Sequence, residues 1–143
     1  MKIQISRTTP VGLIFDPIFK GLEHIVHGHS TRVEGLDQAY DELKIMHSGL
    51  AGVVSLKQVH GVEIEEIRGP GRQVAEADAL YTTQTGLALS IQTADCVPLL
   101  FAHRTARFVA AAHAGWRGTC GQMARVTVEK LLQEFSEIGR AHV

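Results

Sequence analysis

The stretch VPLLFAHRTARFVAAAHAGWRG, residues Val97 to Gly118, decides how the chain is read. Val97 to Ala102 is continuously apolar, as expected of a buried strand. A second short apolar run, Phe108 to Ala112, ends at His113-Ala114-Gly115-Trp116-Arg117-Gly118. Beyond it, Val128, Leu131, Leu132 and Phe135 keep the i, i+3, i+4, i+7 spacing, with Met123 about a turn earlier. The spacing predicts an amphipathic helix from about Thr119 to Glu137. Working upstream, Ala79–Thr82 and Leu87–Gln92 read as strands separated by Gln84-Thr85-Gly86, and Gly69-Pro70-Gly71 marks a turn. Val53–Leu56 and Val62–Ile67 read as strands too, the second alternating apolar and acidic residues as a half-exposed strand does. The first fifty residues are less regular: Gly12 to His29 is mixed, Thr31–Asp37 reads as a loop and Tyr40–His47 as a short helix. Strands dominate and a helix follows the last of them, which predicts a mixed α/β or α+β domain.

Composition bounds the function. The 143 residues are 45% apolar, enough for one packed domain without a disulfide or metal staple. With 14 basic and 15 acidic residues the net charge is −1, which gives no whole-chain reason to expect nucleic acid or an anionic membrane as partner. Cys96 and Cys120 show no disulfide framework, and the N-terminal residues lack the apolar core of a signal peptide. No apolar run approaches the ~20 residues needed to span a bilayer. A cytoplasmic protein is expected.

Three segments share one format, a metal-capable side chain in a polar or glycine-rich turn at a strand end. They are His60 in Gln58-Val59-His60-Gly61, Cys96 in Thr93-Ala94-Asp95-Cys96-Val97-Pro98, and His113 in His113-Ala114-Gly115. Their separations, 36 and 17 residues, are too long for a local zinc finger, whose ligands come in close pairs. Two histidines and a thiolate gathered from separate strand ends would leave one coordination position open, as a catalytic zinc site does. The plain alternative is two surface histidines and a small buried cysteine. His27-Gly28-His29 competes as a local metal pair, against an ordinary polar loop.

Gln58-Val59-His60-Gly61, Ala77-Asp78-Ala79, Thr93-Ala94-Asp95-Cys96-Val97-Pro98 and His113-Ala114-Gly115-Trp116-Arg117-Gly118 occur in this order. Together with His27-Gly28-His29-Ser30-Thr31-Arg32 they resemble the YfiH-type family, long labelled polyphenol oxidase or laccase and now described as purine nucleoside phosphorylases. The resemblance runs from about Gly21 to Phe135. It implies an α+β sandwich with the site at one end of the sheets, and metal ligands at His60, Cys96 and His113 that carry zinc or copper. It also implies phosphorolysis of adenosine, inosine and methylthioadenosine, and deamination of adenosine, so that purine nucleoside and phosphate are the expected partners.

Under that reading Asp95 is the candidate for proton transfer or for orienting a ligand; otherwise it is a turn aspartate bonded to its own backbone. Arg32 and Arg117 are candidate phosphate-binding forks, and the turn from Gly115 to Gly118 into a helix could add backbone donors. Trp116 would stack on a purine or else sit in the core. His29 departs from the family's phenylalanine at that position. Family members continue past the helix, whereas this chain ends at Ile138-Gly139-Arg140-Ala141-His142-Val143. A single domain over residues 1–138, incomplete at its C-terminus, and a non-family tail over 139–143 are therefore expected. Uncovered apolar surface and a homodimer would follow. The competing functions are a polyphenol oxidase, a metal-free hydrolase with Cys96 as nucleophile and His113 or His60 as base, and an inactive truncated domain.

Overall fold

A computed structural model describes residues 13–14, 22, 25–30, 49–70, 75–104 and 108–135. The chain divides into two compact units, Met1–Leu50 and Ala51–Val143. In the first, β1 (Leu13–Ile14) pairs antiparallel with β2 (His29–Ser30). The loop expected over 31–37, the helix expected over 40–47, Arg32 and residues 139–143 lie outside the described residues.

The second unit is layered. β3 (Gly52–Ser55) and β6 (Leu87–Ser90) form a parallel pair. β4 (Ile64–Glu66), β5 (Ala79–Thr82), β7 (Val97–Ala102) and β8 (Val109–Ala114) form a mixed four-stranded sheet in the order β4-β5-β8-β7. Two helices follow, α1 (Trp116–Cys120) and α2 (Met123–Glu134). Of the two classes the sequence left open, α/β and α+β, the α+β one is observed.

Alternation along the central strands assigns each face of the sheet a partner. Ala79 and Tyr81 of β5, with Ala110, Ala112 and Ala114 of β8, pack with Phe101 against Met123 and Leu131 of α2. Leu80 and Ala111, on the opposite face, pack with Val54 of β3 and with Ile67. The alanine run of β8 has weak strand propensity on its own. Its position between β5 and β7, buried on both faces, overrides that preference.

Three features differ from expectation for identifiable reasons. Val97–Ala102 was expected to be a buried strand, but β7 lies at the sheet's edge, and burial falls away toward Val97, which is 54% exposed. β8 runs on to Ala114, taking His113 into the strand where it pairs with Pro98. The expected single helix is two, because Gln122 between them adopts a left-handed backbone, φ 58°. The preceding Gly121 comes so close to Val62 that a Cβ would meet its Cγ1 at 2.7 Å. Between β5 and β6 the expected turn closes on Gly86, whose φ of 80° suits glycine. No helix among the described residues is long and apolar enough to cross a membrane.

Candidate metal centre

Strand register gathers the chemistry at one end of the four-stranded sheet. Val97, the first residue of β7, pairs with Ala114, the last of β8; Ala79, which opens β5, pairs with Ala112 and with Ile64, which opens β4. Cys96, Asp78, His113 and the His60-Gly61 turn therefore meet at the same end, although as many as 53 residues separate His60 from His113. The ligand atoms of His60, Cys96 and His113 all lie within 4.8 Å of one another, the one such group of three or more among the described residues. The two imidazoles meet edge to face, centroids 4.8 Å apart. His113 is buried, Cys96 half-buried and His60 exposed, so the cluster opens toward solvent on the His60 side.

Asp78 fastens this arrangement. It is 1% exposed, and its carboxylate accepts hydrogen bonds from three consecutive backbone N–H groups, those of Val59 (3.1 Å), His60 (3.0 Å) and Gly61 (2.7 Å). Its Oδ1 also lies 2.7 Å from His113 Nδ1. Burial alone pushes the Asp78 carboxyl up. The hydrogen bonds from His113 and the three backbone amides outweigh that and hold it below the usual carboxylate range. The same bonds hold His60 in a left-handed backbone, φ 61°, an uncommon conformation for a residue with a side chain.

Two further residues shape the cluster. Gly115 follows β8, and a Cβ built there would lie 2.8 Å from His60 Cδ2 and 3.2 Å from Cys96 Sγ, so only glycine leaves the donors room. Gln58 clamps the loop that carries Cys96: its Nε2 donates to the Gln92 carbonyl at 2.8 Å, and the Gln92 N–H donates to its Oε1 at 2.8 Å.

The donor set suits a metal ion. Two imidazoles and one thiolate are the ligands preferred by zinc and copper, and three protein ligands leave a position for water or substrate. The space that a Gly115 Cβ would fill lies between those donors. His113 presents its Nε2 to the cluster while Asp78 holds its other nitrogen, a pairing common among metal-binding histidines.

Residues 27–143 match the family described as multi-copper polyphenol oxidoreductase laccase. The chain belongs to this family. Among its relatives, the purine nucleoside phosphorylase of Deinococcus radiodurans is 45% identical over 87 residues, 61% of this chain and 34% of that protein. Adenosine deaminase RL5, from an unknown prokaryotic organism, is 41% identical over 63 residues, 44% of this chain and 24% of that protein. YlmD from Geobacillus stearothermophilus, a solved structure, superposes with a TM-score of 0.57 at 29% identity, covering 88% of this chain and 52% of YlmD. The matches thus span about a third or less of these two curated relatives, and about half of YlmD.

Within this laccase-described family member, the structure brings together the three ligand-type residues that the sequence singled out. Asp95, next to Cys96 in sequence, is exposed. Arg117 is exposed as well, and its guanidinium lies 5.2 Å from the centre of the Trp116 ring. Trp116 is 72% exposed rather than part of the core. His27 and His29 belong to no larger group of metal-capable side chains among the described residues. Asp78 and Gln58 lie inside the quoted motifs but had no expected role, and Gly115, expected only as part of a turn with backbone donors, instead leaves space among the three donors. Asp78 left one signal, a carboxylate heading a buried apolar strand, which is costly unless every oxygen is hydrogen-bonded.

Proposed function

We propose that this chain carries the metal centre of a purine nucleoside enzyme, with zinc or copper held by His60, Cys96 and His113. The activity proposed is phosphorolysis of adenosine, inosine and methylthioadenosine, with deamination of adenosine. The observation that supports it most is the open His/Cys/His cluster at the sheet end, in a chain whose relatives are named purine nucleoside phosphorylase and adenosine deaminase.

The ion, when bound, supplies Lewis acidity. The chain's own residues bind and move protons. In phosphorolysis the glycosidic C–N bond breaks as a phosphate oxygen takes the sugar carbon, and the purine leaves with the bonding pair and needs a proton. In this reading Asp95 relays to it the proton that the attacking phosphate gives up, and the same carboxylate serves the proton transfers of deamination. Arg117 holds the phosphate through its planar fork. Trp116 offers an exposed ring face to the purine, next to the Arg117 guanidinium.

Chromatography tests the reading. The zinc-loaded chain, given adenosine and phosphate, should release adenine and ribose 1-phosphate, and inosine where deamination occurs. A chain that binds metal but turns over none of the three nucleosides overturns it. One observation favours a second reading: Asp78, His113 and Cys96 stand in the order of an orienting acid, a base and a nucleophile. A metal-free hydrolase would use that order, and metal content of the active protein separates the two. A multicopper oxidase asks for a trinuclear cluster besides a Cys/His copper site, and the described residues form one three-ligand group.

A further inference from the structure

We propose that Asp78 is the positioning residue of the metal centre, setting both histidine donors through a single carboxylate. The inference rests on the metal-centre reading above and deepens it. An ionised carboxylate only accepts hydrogen bonds, at about four lone-pair sites. At Asp78 all four are used: Oδ1 by the His113 ring and the His60 N–H, Oδ2 by the Val59 and Gly61 N–H groups. Because three N–H donors already mark this group as an acceptor, the His113 nitrogen facing it must carry a proton. That fixes the tautomer with Nδ1–H toward Asp78 and the Nε2 lone pair toward the cluster.

The other half of the grip is on the backbone. His60 keeps φ 61° between two neighbours whose amides are tied to the same carboxylate, and a return to an extended backbone would break those bonds together. His60 and His113 come from distant parts of the sequence and touch edge to face above one buried anchor. Their relative position therefore depends on Asp78 and not on either strand alone.

Asp78→Asn keeps the shape but replaces one acceptor oxygen by an NH₂ that confronts the same donors. Zinc affinity, measured by chelator competition, should fall about 10–100-fold. ¹⁵N-correlated NMR of the metal-free parent should show the Nδ1–H tautomer at His113, and the variant should lose that preference. Leu131→Ala, in the core on the other face of the sheet, serves as a control that lowers stability but leaves zinc affinity unchanged. Equal zinc affinity in parent and folded Asp78→Asn overturns the proposal, as does an Nε2–H tautomer at His113 in the parent, a measurement that stands even if the variant fails to fold. A parent that binds no zinc overturns the metal-centre reading itself, and this inference with it.

Discussion

At Gly115 a single absent carbon separates an open cluster from a blocked one. Gly115→Ala would bring a methyl group to 2.8 Å from His60 Cδ2, so the imidazole must move away from Cys96 and His113. Since φ at Gly115 is −71°, the backbone tolerates alanine and the effect stays local to the donors. Zinc affinity should drop about tenfold or more, read by chelator competition, with little change in the thermal midpoint of the metal-free protein. His60, Cys96 and His113 were legible in the sequence because these ligand-type side chains stand at or beside strand ends, inside motifs that resemble a known family. Asp78 was not, because its partners are three backbone amides and a ring 35 residues away, none of which leaves a mark in the local pattern.

Among elements, α2 and the loop before β7 make contrasting predictions. Leu131, 1% exposed, seals one face of the sheet together with Met123 of the same helix. Leu131→Ala should cost about 2–5 kcal/mol in denaturant unfolding. Gln58→Ala removes two hydrogen bonds that are exposed to solvent. It should cost no more than about 1 kcal/mol globally while accelerating amide exchange at Gln92, showing that the Cys96 loop has come loose from the His60 turn. Apolar runs were enough to place the six strands among the described residues of the second unit to within a few residues. The break at Gln122 and the exposure of Val97 were hidden, since the first depends on the close approach of Gly121 to Val62 and the second on strand order. Periodicity reports the chemistry of a face; it carries no information on which strand stands at the edge.

For the whole molecule, metal binding and folding should be linked, because the three donors and Asp78 come together only when β4, β5, β7 and β8 are in register. Zinc at one hundred times its dissociation constant should stabilise the fold by about 2.7 kcal/mol. Calorimetry should show that gain as a raised melting temperature, and Cys96→Ser should shrink it. Trp116 bears on how binding can be followed. It is the chain's single tryptophan, it stands next to Gly115, and its ring is largely outside the core. Intrinsic fluorescence should thus start red-shifted in the native state and change little on unfolding, which makes it a poor monitor of folding. It should answer instead to events at the mouth of the cluster: quenching by bound copper, or by a purine stacked on the indole, would turn this one side chain into an optical gauge of occupancy.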